Sequence, residues 1–391
     1  MPLPKRRTVQ RRVAMFFDTS RAFARGFIHG VGRYNRERQQ WSIYYCTQDA
    51  DGLPPAWLKD WKGYGILARI QNRRMAEAIL RVGVPVVDLW GEIDGLEVSR
   101  IDPDDAAVAR LAVEHLLDRG FRNFGFFGPP RGYLPTTDAR ADHFQRLVRE
   151  AGFQCSALYA LAGLSARSWE KDLARTLQWL RGLRKPAGVL ACNDDRGLQL
   201  LDACRRAGIL VPDEVAVIGV ANDDCLCSLA VPPLTSIDLN PQRIGYEAAR
   251  LLDQVMASKH RRPRHELVEP RGIVVRMSSD VLAVEDAAVA QAVRFIREHA
   301  CDDIRLSDVL QQVHASRKVL EPRFRQALGR TVHQEIQRVR IERVKELLAL
   351  SSAPLKQIAV RAGFRYPEYM MQVFRRITGQ TPTEYRRGVL Q

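Results

Sequence analysis

The sequence predicts two α/β lobes with parallel sheets, followed by an all-α domain carrying two helix-turn-helix units. Three observations predict it. From residue 11 to about 280, short runs that are apolar throughout alternate with amphipathic helical stretches; strands apolar on both faces and separated by helices form parallel, doubly covered sheets, and 391 residues exceed one core of ordinary size. From residue 288 onward the periodicity is helical only, and a unit of about fifty residues recurs. The charge is divided the same way. Of a net +15, residues 288–391 hold 19 Lys and Arg against 10 Asp and Glu, the first twelve residues carry +5, and the long stretch between is nearly neutral. A neutral body with a basic helical module suits a polyanionic partner, because clustered cations neutralise phosphates.

The elements follow in order. Residues 1–10, MPLPKRRTVQ, read as a basic disordered start. RRVAMFFD reads as a buried strand, GFIHGVGRYNRER as a helix with Phe27, Val31 and Tyr34 on one face, and WSIYYC as the next strand. YGILARI and VPVVDLW are strands separated by the helix of MAEAILRVG. The alternation continues through DDAAVARLAVEHLLDRG (helix), NFGFFG (strand), DHFQRLVREAG (helix), AGVLACN (strand), RGLQLLDACRRAG (helix) and VAVIGV (strand).

Such sheets bind ligands beyond the carboxyl ends of their strands. The residues there are Asp18, Thr19 and Ser20, then Asn193, Asp194 and Asp195, then Asn222, Asp223 and Asp224. Any one of them serves equally as a helix cap. Three such clusters without a Gly-rich phosphate loop suit a neutral polyhydroxyl ligand, which needs many donors and acceptors. Phe23, Trp41 and Trp90 read first as core residues, with a stacking face for a sugar ring as their alternative place. The seven cysteines show no CxxC and no His/Cys pair at zinc spacing, so they read as small core residues in a reducing cytosol, and no metal or cofactor is expected. VAMFF is too short for a signal-peptide core and no stretch is long enough for a membrane span, which predicts a cytoplasmic protein with no membrane partner.

AVEHLLDRGFRNFGFFG, GVLACNDDRGLQLLDACRRAGILVPDEVAVIGVANDD and PPLTSIDLNPQRIGYEAARLL resemble the effector domain of LacI/GalR-type repressors, which is periplasmic-binding-protein-like. The resemblance covers residues 11–283. It implies two lobes joined by three chain crossovers with a sugar between them. It also implies that Arg140 bridges two sugar hydroxyls and that Asn193 lies in the cleft with Asp194 beside it. Asp18, Ser20 and Asn222 complete the expected ligand set. The family usually has an Asp directly after the VIG-x strand; this chain has Ala221, then Asn222. The first strand opens near Arg12, so the DNA-binding function is expected in the tail.

In the tail, LSDVLQQVHASRKVLEPRFRQALGRT puts Leu306, Val309 and Val313 on one face, a turn at 314–316, then Val319, Leu320 and Phe324. LKQIAVRAGFRYPEYMMQVFRRITGQT repeats this with Leu355, Ile358 and Ala362, a turn at Gly363, then Tyr369, Val373 and Phe374. These predict helix-turn-helix units over about 306–326 and 355–377, each ending in Phe-x4-Gly-x-Thr, with the helix of HQEIQRVRIERVKELLAL fixing their separation. RAGFRYPEYMMQVFRRITGQTPTEYRR resembles the signature of AraC-type activators, which assigns residues 288–391 to that type of DNA-binding domain. The resemblance implies base-edge contacts from Arg317, Lys318 and Glu321 and from Glu368, Met371 and Gln372. It places Arg365 and Tyr366 near the backbone, and Arg376 with Arg375, Arg386 and Arg387 on phosphates. Pro322 stands where family members usually carry a charged residue, and is expected to remove one helical hydrogen bond and kink its helix.

Together the two resemblances imply a sugar-responsive, DNA-binding transcriptional regulator without catalysis, an activator of a pentose catabolic operon. Its expected partners are a double-stranded DNA operator, a sugar effector, a second copy of itself in a homodimer, and RNA polymerase. Two rival readings are a sugar-modifying enzyme using Asp194 and Asp223 as acid and base, and a sugar-binding transport protein with an accessory basic helical domain. The sequence offers the first no nucleophile or metal set and the second no secretion signal.

Overall fold

The computed structural model describes residues 10–39, 41–47, 53–93, 95–160, 166–258, 262–280, 286–302, 304–351 and 353–389. The basic start at residues 1–9 lies outside them. The chain divides into two compact units, residues 1–281 and 282–391.

The first unit opens with β1 (Arg11–Phe17), α1 (Ala22–Arg38), β2 (Trp41–Thr47), β3 (Gly65–Ala68), α2 (Arg73–Val82), β4 (Val86–Leu89) and β5 (Ser99–Pro103). It then crosses to a second sheet through α3 (Asp105–Asp118), β6 (Asn123–Gly128), α4 (Pro135–Glu150), β7 (Cys155–Tyr159), α5 (Ala166–Gly182), β8 (Ala187–Ala191), α6 (Asp194–Arg206), β9 (Val215–Val220), α7 (Asp224–Leu229) and β10 (Thr235–Asp238). α8 (Pro241–Ala257) and β11 (His265–Val268) return to the first lobe, and β12 (Gly272–Val274) ends on the second. The sheet orders are β11-β5-β4-β3-β1-β2 and β12-β10-β9-β8-β6-β7, parallel except where β12 meets β10. Two sheets and three crossovers are therefore present, as the sequence implies.

β1 explains why its apolar run does not alternate. Val13, Met15 and Phe17 enter the core under α1 and α8, while Ala14 and Phe16 enter the core under α2. Each face of the strand is buried, so each residue must be apolar. On the first of these faces α1 and α8 touch backbone to backbone. A Cβ on Gly30 would lie 2.0 Å from the Gln242 carbonyl oxygen, and one on Gly245 would lie 2.1 Å from that of Phe27.

The second unit is helical: α9 (Ala287–His299), α10 (Leu306–Gln312), α11 (Arg317–Leu328), α12 (Val332–Leu350), α13 (Leu355–Arg361), α14 (Pro367–Thr378) and α15 (Pro382–Val389). α12 is shared between two cores. Val332 and Ile336 pack with α9, α10 and α11, whereas Ile341, Val344, Leu347 and Leu348 pack with α13 and α14. The repeated Phe-x4-Gly-x-Thr is a helix end followed by a helix start. Phe324 and Phe374 are fully buried, Gly329 and Gly379 close their helices in the left-handed region at φ 66° and 76°, and Thr331 and Thr381 form reciprocal caps with Gln334 and Glu384.

Two expectations change. Val319 and Tyr369, expected on buried faces, are 45% and 43% exposed. Of the cysteines only Cys192, Cys204 and Cys227 are buried, and Cys225 is exposed. Pro322 lies inside α11, which runs on to Leu328 as one helix. Trp41 belongs to the core beside Tyr34, the place its sequence favours.

The α1–α8 contact gives a direct test. Gly30→Ala puts a methyl group against rigid backbone and should cost about 1–3 kcal/mol. Gly32→Ala on the same helix meets only the mobile Arg36 guanidinium, at 3.3 Å, and should be neutral or slightly stabilising, because alanine favours helix over glycine. Urea unfolding of the two variants should separate them by at least that amount.

Candidate functional site: a ligand cleft and a nucleic-acid interface

Beyond the carboxyl ends of the body's strands, charged and aromatic side chains converge from both lobes. After β1, the Asp18 carboxylate accepts hydrogen bonds from the Ser20 amide and hydroxyl, both at 2.9 Å. Partial burial raises its pKa, but those two donors and the Arg21 guanidinium outweigh this and hold it below the ordinary carboxylate value. Arg21 caps α1 and reaches the other lobe, where Nη1 lies 2.8 and 2.7 Å from the two oxygens of Asp195. After β3, the Arg69 guanidinium lies over the rings of Phe23 and Trp90, 4.8 and 5.3 Å from their centroids, and bonds Glu92 at 2.5 Å. Trp90 itself follows β4 at φ 57°, a left-handed conformation that aims its ring at Phe23, 4.5 Å away between centroids. Beneath it Asp88 is buried. Its Oδ1 accepts from the Ile70 amide at 2.9 Å, and desolvation pushes the carboxyl up to about 7.

On the second lobe, Arg140 of α4 is 1% exposed. Nε and Nη2 donate to one oxygen of Asp105 at 2.8 and 2.6 Å, and Nη1 donates to the Cys192 carbonyl at the end of β8. Burial raises the pKa of Asp105 and the adjacent guanidinium opposes that rise. Asn193 caps α6 through its carbonyl oxygen, which accepts from the Arg196 amide at 2.9 Å. Asp194, expected to face the ligand, turns into its own lobe. It is 2% exposed and accepts from the Ser236 hydroxyl at 2.5 Å and the Asp223 amide at 2.7 Å. Burial pushes it up to about 6 against those hydrogen bonds. Its oxygens tie β8, β9 and β10 together, so it braces the strand ends. Ala221 adopts φ 114°, where L-residues are strained, and Asn222 follows at φ 50° with its side-chain oxygen 2.9 Å from Arg276 Nη2.

The geometry thus gathers Asp18, Ser20, Asn193 and Asn222 at the strand ends, and places Arg140 and Asp194 beneath that surface. Sequence reasoning missed Arg21, Arg69, Glu92, Asp105 and Arg276. For Arg21 and Arg69 a signal existed, since each follows closely on an apolar run. Asp105 had none, because β5 was not legible as a strand.

In the second unit, the amino-terminal residues of α11 and α14 carry the exposed side chains Arg317, Lys318, Glu368, Met371 and Gln372, and Arg365 and Tyr366 stand exposed in the turn before α14. Glu321 is half-buried. The four arginines expected on phosphates divide. Arg375, Arg376 and Arg387 are exposed and Arg386 is half-buried; Arg376 Nη2 also donates to Gln337 Oε1 of α12 at 2.7 Å, and Arg386 Nη2 donates to the Ala353 carbonyl at 2.7 Å. No helix among the described residues is long and apolar enough to cross a membrane.

Family models match in the same arrangement: a XylR N-terminal domain over residues 12–97, a periplasmic binding protein-like domain over 113–279 and a helix-turn-helix domain over 309–388. A two-lobed cleft of this kind ahead of a double helix-turn-helix tail defines an AraC-type transcriptional regulator with a periplasmic-binding-protein-like effector domain. The chain is similar along its whole length to the xylose operon regulatory proteins of Escherichia coli strain K12 (29% identical, covering 97% of each chain) and Haemophilus influenzae (27% identical, covering 96% of this chain and 98% of that one). Among solved structures it matches that of the xylose-binding transcription activator xylR with TM-score 0.80, at 28% identity over 97% of this chain and 99% of the other. These relatives are transcriptional regulators, and the enzyme reading falls away.

Asp88 makes the cleft wall pH-sensitive in a defined direction. Its folded pKa lies above its unfolded value of about 3.9, so the stabilisation is complete below about pH 4 and is lost as pH rises through 7. Between pH 5 and 8 the parent should lose on the order of 2 kcal/mol that Asp88→Asn does not lose. Urea unfolding at both pH values measures this; equal losses in the two proteins would contradict it.

Proposed function

We propose that the protein is a sugar-responsive activator of a pentose catabolic operon, in which closure of the two lobes on a xylose-like monosaccharide governs operator binding by the tail. The observation that carries this reading is the module order, shared over 97% of both chains with a xylose operon regulatory protein. The cleft chemistry agrees with it. The strand ends offer hydroxyl, amide and carboxylate groups, and Arg140, expected to bridge sugar hydroxyls, is instead buried beneath them with its three nitrogens on Asp105 and the Cys192 carbonyl, where it braces the cleft floor. Asp18, Ser20, Asn193 and Asn222 supply hydrogen bonds to sugar hydroxyls, with Asp194 bracing the loop that presents Asn222. Ala221 leaves the ligand without the usual carboxylate at that strand end.

On DNA, α11 and α14 enter successive major-groove segments. Arg317, Lys318, Glu368, Met371 and Gln372 read base edges, Glu321 lies at the margin of the first set, and Arg365 and Tyr366 meet the backbone. Arg375, Arg376 and Arg387, exposed on the same module, meet phosphates, Arg376 while also bonded to Gln337. The regulator acts in the cytoplasm as a homodimer through its body and contacts RNA polymerase at the promoter.

Saturating D-xylose, at about one hundred times its dissociation constant, should stabilise the full chain by about 2.7 kcal/mol in thermal unfolding. No shift with any aldopentose would reject the effector assignment. On operator DNA, Gln372→Ala should relax preference at one base pair by about 1–3 kcal/mol, whereas Arg375→Ala should weaken all sequences alike and reduce the salt slope by about one. Footprinting and salt titration distinguish the two; equal loss of specificity in both variants would refute the division of roles.

A further inference from the structure

One cation of the cleft is used neither by the fold's caps nor by the ligand set that the family resemblance supplies. Arg69 sits at the carboxyl end of β3, on the wall formed by Phe23 and Trp90, with Glu92, Asp88, Asp18 and Arg21 as its charged neighbours. Its side chain is 15% exposed and that of Glu92, its partner at 2.5 Å, is 19% exposed. One nitrogen is incompletely satisfied: Nε is buried and makes no hydrogen bond. A buried donor without a partner is costly, and the planar guanidinium fork, of which only Nη2 is bonded to Glu92, matches paired oxygens.

We infer that Arg69 is a specificity-determining residue of the amino-terminal lobe, donating to a pair of sugar hydroxyls, and that its pairing with Glu92 restricts the cleft to uncharged sugars. This rests on the sugar-responsive reading above. The chemistry is directional. Arg69 and Glu92 together carry no net charge, so a neutral polyol gains donors from the arginine and an acceptor from the glutamate. A ligand bearing a carboxylate brings its charge against that of Glu92 in a water-poor wall, where like charges repel strongly. The aromatic faces of Phe23 and Trp90 supply the apolar surface against which the C–H side of a sugar ring packs. Lysine does not replace Arg69, because a single ammonium lacks the planar fork and the broad face that covers the two rings.

The test is titration calorimetry of the full chain with D-xylose and with D-xylonate. The parent should bind D-xylose at least tenfold more tightly than D-xylonate. Arg69→Met and Arg69→Lys should each lose tenfold or more for D-xylose. Glu92→Gln, which leaves the arginine charge unbalanced, should narrow or reverse the preference toward D-xylonate. Far-ultraviolet dichroism of each variant separates lost binding from lost folding, and Glu92→Gln keeps the inference testable if an Arg69 variant fails to fold. A parent that takes D-xylose while both arginine variants bind it within twofold overturns this inference alone. So does an unchanged preference in Glu92→Gln. A parent that takes neither ligand overturns the pentose reading and this inference with it.

Discussion

The body is organised around a buried ion pair. Arg140 is 1% exposed, and an unpaired guanidinium at that depth is untenable, so Asp105 must stand within hydrogen-bonding reach. Asp105 is the first residue of the helix entered immediately after the chain crosses from the first sheet to the second, and the third donor of Arg140 is fixed on the carbonyl that ends β8. One charge pair therefore links a crossover, a helix and a strand end. Asn193, the residue after Cys192, is presented to the cleft from that strand end. Removing either partner leaves the other charged and dry, which is more damaging than the loss of a surface bridge.

The same logic recurs around the cleft. Arg69 is balanced by Glu92, Arg21 by Asp195, Arg276 by Asn222 and Asp224. Of these pairs, Arg21–Asp195 spans the lobes, and its two side chains are 42% and 40% exposed. An exposed pair contributes little to stability, so it sets a preference between lobe arrangements without locking one. A ligand with differential contacts in the closed arrangement is then able to shift the balance, and no other source of control is available to it. In the tail the corresponding device is α12, whose two halves belong to two separate cores and so fix the spacing of α11 and α14.

The architecture was legible because burial on both faces writes itself as unbroken apolar runs, of which VAMFF and VAVIGV are the clearest. The tail was legible because Phe-x4-Gly-x-Thr marks a helix end and the next helix start twice. β5, SRIDP, was not, since a Ser, an Arg and an Asp occupy a buried strand, and a partner such as His265 on Asp102 lies far away in sequence. The cleft was half legible. Strand-end polarity put Asp18, Ser20, Asn193 and Asn222 at the strand ends, where they lie, but sequence cannot tell an outward side chain from one that turns inward, as Asp194 does to reach Ser236 forty-two residues on. Nor does sequence show that Arg376 bonds Gln337, which lies thirty-nine residues away on another helix.

The central claim is that occupancy of the body's cleft controls the affinity of the tail for DNA. The most direct measurement is the operator affinity of the full chain with and without saturating D-xylose, compared with that of residues 285–391 alone. The account predicts a coupling of about 1–3 kcal/mol in the full chain and none in the isolated tail. Equal operator affinities in the presence and absence of sugar, with sugar binding independently demonstrated, would contradict it.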